Sequence, residues 1–236
     1  MTDWCYPAVG GTQDVFFDRV AARCLPTIVA GEGIYLIDDR GRRLLDACSG
    51  PFLAALGQGN ERVLQAMLEQ GRKLTYTYSR TTRHHANAAL TERLASLAGA
   101  GFERAHLTSG GSEAVEMALK FLRAHAVATG QGQRHRVISL MPGYHGATLG
   151  TLGLNGDVSV PALWGPLAVL SEKVPAPLTC RASSPEAAAT ASLAALEETI
   201  ERVGADQVLA AAAELSCQAA ALTRDASAFT SRVRAA

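Results

Sequence analysis

The sequence predicts an α/β fold with a mostly parallel sheet and flanking helices. Short apolar segments of strand length alternate with longer segments of helical periodicity from about residue 104 to residue 213. Hydrophobic residues make up 48% of the 236 residues, which is sufficient for a sizeable core. Loops with glycine follow two of the predicted strands, and such loops at the carboxyl ends of neighbouring parallel strands share one crevice.

Composition excludes several classes of function. Lysine and arginine number 22 against 22 aspartate and glutamate, so the formal net charge is zero and a general nucleic-acid or membrane-surface binder is not expected. No apolar run approaches the roughly 20 residues of a membrane span, and the start lacks the features of a secretory signal. Five scattered cysteines without a CxxC pair favour reduced thiols and no metal site. We therefore expect a cytoplasmic, soluble chain.

The first part of the chain is predicted to hold a β-hairpin followed by two helices. Residues 34–47 have the pattern of two short strands, with turn chemistry at residues 38–41. The segment 49–60, rich in glycine and apolar residues, is predicted to be a loop. Asn60 is a suitable N-cap for a helix with apolar residues at helical spacing, and a second helix is predicted over residues 86–98.

The second part of the chain carries the alternation that defines the predicted fold. Strands are predicted over residues 104–108, 137–140 and 208–213. Helices are predicted over residues 113–128 and from Pro185 to about residue 203, with a long irregular segment before the second one. In the first of these helices, the residues predicted to face a core are Ala114, Met117, Ala118, Phe121 and Leu122. The second has Ser184 as a suitable N-cap, and its predicted inward residues are Leu193, Leu196, Ile200 and Val203.

The first stretch that points to chemistry is Ser-Gly-Gly-Ser at residues 109–112. Glycines let the backbone approach an anion, and the start of a helix presents free N–H groups and the positive end of its dipole. Gly110, Gly111 and Ser112 are therefore candidates for a phosphate cradle. Taken alone, the pattern favours an ordinary turn with Ser112 as the N-cap over a phosphate cradle. It is not a Walker loop, because no Gly-Lys-Ser/Thr follows.

The second stretch is Pro-Gly-Tyr-His-Gly at residues 142–146, directly after a predicted strand. Tyr144 offers a flat surface on which a ring can stack, and His145 stands beside it. In a parallel sheet this loop and the cradle would face the same ligand. Taken alone, Tyr144 and His145 favour an ordinary loop pair, and for His145 that explanation competes with any catalytic role.

Together and in this order, the stretches resemble the class III pyridoxal-phosphate (PLP) aminotransferases of fold type I. Residues 45–67 are similar to the family's D-x-x-S-G … L-G-H-x-H-P segment, and residues 109–114 to its N-S-G-S-E-A phosphate motif. Residues 143–146 are similar to its Y-H-G motif. Ala213-Glu214 stands where the family has Glu-Pro at the end of a strand.

The resemblance implies the family's fold, cofactor and site. Residues 1–50 would be an N-terminal segment of the small domain, and residues 51–236 an incomplete PLP-binding large domain. The cofactor would be bound by Gly110, Gly111, Ser112, Tyr144, His145 and Glu214, with the glycines and Ser112 at its phosphate and Tyr144 stacked on its ring. Four further residues would line the substrate channel or the subunit interface, namely Ser49, Phe52, Tyr76 and Arg80.

The sequence also departs from the family pattern. Gly110 replaces the family's serine, Gln58 replaces its first histidine, and Ala147 replaces the arginine that often follows Tyr-His-Gly. Leu215 replaces the proline after Glu214, and the match is poor from that position onward.

Two groups that this chemistry requires have no counterpart in the sequence. A Schiff-base lysine holds the cofactor and moves a proton, and an aspartate keeps the pyridine nitrogen protonated. In the family both follow the Glu-Pro strand, and none of the three lysines, Lys73, Lys120 and Lys173, matches that position. We therefore expect no catalytic residue in this chain and no transamination by the chain alone.

The pattern favours the N-terminal subunit of a split PLP-dependent aminotransferase, because both motifs are present while the missing groups form one block. A complementary C-terminal chain would supply the lysine and aspartate, in a heterotetramer with two copies of each chain. The substrates would be an amine or amino acid and a keto acid. Two alternatives remain: a truncated, non-catalytic pseudoenzyme that binds PLP or a similar anion, and a scaffold that pairs with a full-length aminotransferase.

Overall fold

The computed structural model describes residues 26–178, 180 and 182–212. The chain divides into two compact units, Met1–Asn87 and Ala88–Ala236. None of the helices in the described ranges has the length and apolar character needed to cross a membrane.

The first unit contains a three-stranded antiparallel sheet in the order β1-β2-β3. Its strands are β1 (Ile28–Glu32), β2 (Tyr35–Asp38) and β3 (Arg43–Leu45). The predicted hairpin is confirmed by the β2–β3 pair, in which Leu36 is opposite Leu44. Strand β1 was not predicted, because its sequence, Ile-Val-Ala-Gly-Glu, lacks alternation and its five residues are exposed.

A buried carboxylate shapes the turn between β2 and β3. Asp38 is 1% exposed, and its Oδ1 accepts hydrogen bonds from the backbone N–H groups of Arg40 (3.0 Å) and Arg42 (2.7 Å). Its Oδ2 accepts from Arg42 Nε at 2.7 Å, which pairs the buried charge with a guanidinium. The turn chemistry read from the sequence thus has a physical basis, since a buried carboxylate requires such partners.

Helices α1 (Ser49–Phe52), α2 (Glu61–Lys73) and α3 (His85–Ala98) follow the sheet. The predicted cap of α2 is confirmed, because Asn60 Oδ1 accepts from Val63 N at 3.3 Å. The apolar residues of α2 form a stripe that is exposed in this structure, consisting of Val63, Leu64, Met67 and Leu68. This helix therefore presents an amphipathic face without burying it among the described residues.

The second unit is built on a parallel sheet in the order β5-β4-β6. The central strand is β4 (Arg136–Met141), and the outer strands are β5 (Glu172–Pro175) and β6 (Val208–Ala212). Two of these strands were predicted, and the parallel α/β class is confirmed. Connections between parallel strands require long crossovers, and helices α4 (Gly111–Ala128) and α7 (Pro185–Val203) belong to this unit.

The core of this unit lies between the sheet and helix α7. Ile138 and Leu140 of β4, Val174 of β5 and Leu196 of α7 form its buried cluster. Ile138 is only 1% exposed. The inward face predicted for α7 is confirmed by Leu196, and the partly buried Ile200 packs against the same cluster.

An ionic network joins the outer strand β5 to its neighbours. The Glu172 carboxylate pairs with Arg202 of α7 at 3.0 Å and with Arg136 of β4. The Arg202 and Arg136 guanidiniums hold the pKa of Glu172 below its ordinary value, with the Arg202 hydrogen bond as the largest cause. The pair of arginines thus keeps a charged residue of β5 ionised at the edge of the sheet.

Helix α7 begins at the predicted cap, and this yields a stability prediction. Ser184 Oγ accepts from Ala187 N at 3.1 Å, and Pro185 occupies the first turn. We expect Ser184→Ala to lower the free energy of unfolding by about 1 kcal/mol, because one N–H of the first turn loses its partner. Urea denaturation measures the change. The neighbouring Ser183→Ala is the control. An equal loss of unfolding free energy in both variants would contradict the assignment of Ser184 as the N-cap of α7.

Two of the elements predicted for this unit are wrong. Residues 104–108 form no strand; Arg104 to Leu107 are exposed, and β4, the centre of the described sheet, is already paired on both sides. The segment predicted to be irregular contains β5 and the short helices α5 (Leu149–Leu152) and α6 (Ser159–Trp164). Strand β5 was missed because Glu-Lys-Val-Pro is polar and ends in proline, and pairing with β4 makes it a strand.

Helix α4 is apolar on two faces, and its predicted inward face is only partly right. Four of the five residues predicted to face the core are exposed, Phe121 to 71%. The fifth, Leu122, is partly buried, and it turns inward with the partly buried Leu119 and the buried Ala126. Periodicity alone does not decide between two apolar stripes, because the choice depends on which neighbours are present.

Candidate functional site

The glycine-rich turn leads directly into helix α4. Gly110 is the N-cap, and Ala114 N donates to Gly110 O at 3.1 Å. The N–H groups of Gly111, Ser112 and Glu113 precede this bond, so they belong to the first turn that lacks partners within the helix. Thr108 Oγ1 donates to Gly110 O at 3.0 Å and supports the turn. The helix start therefore presents a row of backbone donors.

Ser112 has a different role from the cap expected of an ordinary turn. It lies inside the helix, and its Oγ accepts a hydrogen bond from Ala147 N at 3.0 Å. Ala147 follows the Tyr-His-Gly motif, which the sequence predicted to share a crevice with the helix start. The structure therefore brings the two motifs together at a single contact. The interpretation of Ser112 as a simple N-cap is wrong.

Gly146, the last residue of the Tyr-His-Gly motif, lies very close to the start of α4. Its φ is +138°, a backbone conformation that side chains rarely adopt. A Cβ at this position would lie 2.4 Å from Thr151 Oγ1 and 2.8 Å from Ser112 Oγ. Only glycine allows the loop to approach the start of α4 this closely.

The loop of residues 142–146, which we call the aromatic loop, is hydrogen-bonded to the segment that follows α5. His145 N donates to Asn155 Oδ1 at 2.6 Å, and Asn155 Nδ2 donates to Gly146 O at 2.7 Å. Gly156 N donates to Gly143 O at 2.8 Å. Tyr144 is 67% exposed at the surface of this unit. The loop backbone is thus fixed while the tyrosine side chain is presented outward.

A lysine lies in a polar cluster beside this segment. Lys173 Nζ donates to Ser139 Oγ (2.8 Å), Ser171 Oγ (2.9 Å) and Gly153 O (3.0 Å). These three acceptors use the three protons of an ammonium group. Burial lowers the pKa of Lys173 to about 8. The cluster joins β4 and β5 to the segment that supports the aromatic loop.

The lowered pKa of Lys173 gives a stability that depends on pH. The folded chain binds fewer protons than the unfolded chain between about pH 8 and about pH 10.4, where an ordinary lysine titrates. Stability therefore rises with pH in this window. Relative to Lys173→Met, we expect wild-type unfolding free energy to increase by about 1 kcal/mol between pH 7 and pH 10, after allowing for solvent screening. Urea denaturation of both proteins at several pH values tests this. Unfolding free energies that change with pH in the same way in wild type and in Lys173→Met would contradict it.

The remaining predicted site residues lie in the first unit or outside the described residues. Ser49 and Phe52 are the first and last residues of α1, while Tyr76 and Arg80 lie between α2 and α3. All four belong to the first unit, in which Phe52 and Tyr76 are strongly exposed. Glu214 lies outside the described residues.

Sequence reasoning missed two residues that organise the site. Asn155 and Thr151 are buried, and they contact the loop from the segment that had been predicted to be irregular. Their polar character inside an apolar stretch, Leu152-Gly-Leu-Asn-Gly156, was the available signal, since buried amides and hydroxyls require specific partners.

The arrangement fits an anionic ligand with an aromatic ring. A Cβ at Gly111 would meet no atom within 4 Å, so the space beside the backbone donors is open. A phosphate suits this position, since a helix start favours negative charge. The exposed ring of Tyr144 lies on the loop that contacts Ser112 through Ala147. Among the described residues, no group of three or more His, Cys, Asp or Glu residues could hold a metal ion.

The comparison with known families agrees with this geometry. Residues 17–236 match the family described as Aminotransferase class-III. The chain therefore belongs to the class III aminotransferases.

Three proteins to which the chain is similar carry aminotransferase names. The chain is 37% identical over 150 residues to a probable aminotransferase of Mycobacterium tuberculosis, covering 64% of this chain and 32% of the relative. It is 38% identical over 146 residues to the ornithine aminotransferase of Bordetella pertussis, covering 60% and 34%. A putrescine–pyruvate aminotransferase of Pseudomonas aeruginosa is 34% identical over 130 residues, covering 55% and 28%.

Solved structures share the fold. An amine transaminase from an uncultivated Pseudomonas species, in its PLP-bound form, superimposes with a TM-score of 0.74 at 27% identity. The match covers 90% of this chain and 48% of that one. A Vibrio fluvialis aminotransferase bound to PMP gives a TM-score of 0.76 at 25% identity, covering 88% and 46%. The chain thus spans about half the length of these transaminases, and it has the fold type I architecture.

Proposed function

We propose that this chain supplies the phosphate-binding and ring-stacking part of a PLP-dependent aminotransferase site. A complementary C-terminal chain supplies the Schiff-base lysine and the aspartate at the pyridine nitrogen. The observation that carries the proposal is the hydrogen bond from Ala147 N to Ser112 Oγ, which joins the anion-binding helix start to the aromatic loop. Under this proposal, residues 1–50 contribute to a small domain and residues 51–236 to the large domain.

The helix start would hold the cofactor phosphate. Backbone N–H groups of Gly111 and Ser112 donate to its oxygens, and the helix dipole favours its charge. Since Ser112 Oγ already accepts from Ala147 N, the Ser112 O–H proton remains for donation to a phosphate oxygen. Gly110 shapes the turn without placing a side chain in the anion's path.

The aromatic loop would hold the ring. Tyr144 stacks on the pyridine face, and His145 lies beside it with its backbone fixed by Asn155. When bound, PLP supplies an electron sink that eases removal of a proton from the carbon bearing the amino group. The contribution of this chain is to orient the ring and to fix the phosphate, which is positioning rather than proton transfer.

The positions of the lysines support a second source for the Schiff-base residue. Lys73 ends helix α2 in the first unit, and Lys120 lies in the third turn of α4. Lys173 donates to three acceptors in its own cluster. None of the three lies at the start of α4 or on the aromatic loop. These positions support a Schiff-base lysine that comes from the partner chain.

Exposed apolar surface in the second unit supports a partner as well. Phe121 and Met117 line one face of α4, and Leu163 and Leu167 are exposed on and after α6. Strands β5 and β6 are the outer strands of the described sheet. Apolar faces and open strand edges of this kind are covered by another chain segment in stable proteins. A complementary chain that completes the large domain would cover them.

The substrate class follows from the relatives and is part of the proposal. The named relatives include an ornithine aminotransferase and a putrescine–pyruvate aminotransferase. We propose a small amine or amino acid as the donor and a keto acid as the acceptor.

The experiment that tests the proposal identifies the lysine directly. The chain is tagged in its natural host, the complex is recovered, and native mass spectrometry gives its subunits. Borohydride reduction then fixes PLP to the lysine that bears it, and peptide mapping locates that lysine. We expect a heterotetramer with two copies of each chain and the label on the partner.

Other outcomes separate the alternatives. A homo-oligomer without cofactor contradicts the split enzyme and favours a pseudoenzyme. A complex with a full-length aminotransferase that bears all of the label indicates the scaffold alternative. A label on Lys73, Lys120 or Lys173, or on a longer form of this chain, contradicts the complementary chain.

A further inference from the structure

We infer that Asn155 is a positioning residue that fixes the loop of Tyr144, His145 and Gly146 in its ring-binding conformation. The inference rests on the proposed function and deepens it, because it names the residue that sets the orientation of the stacking tyrosine.

The hydrogen bonds of Asn155 carry this inference. Its side chain is buried, with 7% of the residue exposed. Oδ1 accepts from His145 N at 2.6 Å, and Nδ2 donates to Gly146 O at 2.7 Å. One amide group thus satisfies a donor and an acceptor on consecutive residues of the loop.

The Asn155 amide meets both requirements because it carries a donor and an acceptor on separate atoms. An aspartate at position 155 keeps the acceptor for His145 N but places a carboxylate oxygen against Gly146 O. A leucine fills similar space and offers neither a donor nor an acceptor. Either change leaves a buried backbone group without its partner, which is costly in an interior of low dielectric.

The loop that Asn155 fixes is also connected to the phosphate cradle at Gly110, Gly111 and Ser112. Ala147, the residue after Gly146, donates to Ser112 Oγ at 3.0 Å. On the other side of the loop, Gly143 O accepts from Gly156 N at 2.8 Å. Tyr144 is largely exposed, and this backbone sets the direction in which its side chain leaves the loop. Asn155 is the side chain that fixes the centre of the loop.

Residue-resolved hydrogen exchange in the full chain tests the backbone part of the inference. We expect Asn155→Leu to accelerate exchange of the His145 amide by roughly tenfold or more, since that N–H loses its acceptor. Asn155→Asp keeps the acceptor, so its His145 exchange should lie closer to wild type. Ser184→Ala is the matched control in the same unit; it removes a helix cap far along the chain and should leave His145 unchanged.

Circular dichroism of PLP bound to the complex tests the consequence for the ring. We expect Asn155→Asp to reduce the circular dichroism band of bound PLP and to weaken PLP binding by roughly tenfold. The reason is that the loop that carries Tyr144 is no longer fixed. Affinity for inorganic phosphate should change less than that for PLP, since the start of α4 is untouched. A purely structural defect would weaken both equally.

The outcomes separate this inference from the proposed function. Unchanged His145 exchange in Asn155→Leu, or an unchanged PLP band in Asn155→Asp, overturns the role of Asn155 while PLP binding by wild type stands. Absence of PLP from the wild-type complex instead overturns the proposed function, and the exchange result still decides whether Asn155 fixes the loop. If Asn155→Leu does not fold, Asn155→Asp, which preserves side-chain volume, supplies the decisive comparison.

Discussion

Gly146→Val is expected to weaken PLP binding by the complex by about a hundredfold, equivalent to about 2.7 kcal/mol. The φ of +138° at this position is unfavourable for a β-branched residue. A Cβ would also approach Thr151 Oγ1 to 2.4 Å and Ser112 Oγ to 2.8 Å. The loop must then move away, which breaks the hydrogen bond from Ala147 N to Ser112 Oγ and separates the phosphate cradle from the stacking platform. Absorbance titration with PLP measures the loss.

A matched glycine in the same unit provides the control. A Cβ at Gly132 would meet no atom within 4 Å, so Gly132→Ala should retain PLP binding within about twofold, as surface substitutions usually do. If Gly146→Val binds PLP as tightly as Gly132→Ala does, the close approach of the loop and the helix start has no role in binding.

Tyr144→Ala is expected to weaken PLP binding by about tenfold to a hundredfold. Stacking of a heteroaromatic ring on an aromatic side chain contributes on the order of 1–3 kcal/mol. Tyr144 is 67% exposed in this chain, so its removal creates no buried cavity. The free energy of unfolding should therefore change little, while the affinity for PLP falls. Titration with PLP and urea denaturation of the same variant measure the two effects.

The conservative variant separates stacking from the hydroxyl group. Tyr144→Phe keeps the ring and should bind PLP within about threefold of wild type, since a single exposed hydrogen bond contributes little. Equal losses in the Phe and Ala variants would show that the hydroxyl group, and not the ring face, contacts the cofactor. No loss in either variant would remove Tyr144 from the proposed site.

Several elements of the fold could be predicted because local chemistry determines them. The caps at Asn60 and Ser184 accept hydrogen bonds from backbone groups three residues ahead, an interaction that depends on local sequence alone. The turn after β2 follows from Asp38 and its near neighbours. Buried strands such as β4 are recognisable from a short run of apolar residues.

Other elements could not be predicted because distant residues determine them. Strand β5 exists through its pairing with β4, in which Lys173 lies opposite Ser139. The inward face of α4 depends on which of its two apolar stripes meets the sheet. The segment 104–108 has strand composition but no place in the described sheet, whose central strand is already paired on both sides.

The site shows the same division. The sequence by itself determined the two motifs, the helix start at Gly111 and Ser112 and the loop with Tyr144, because glycine and aromatic chemistry is visible in the residues. Only the tertiary structure decided that Ser112 Oγ contacts Ala147 N, that Gly146 admits no side chain, and that Asn155 holds the loop. These contacts join residues up to 35 positions apart. Their geometry depends on how the crossover after β4 packs, and packing of that kind has no periodicity in the sequence from which to read it.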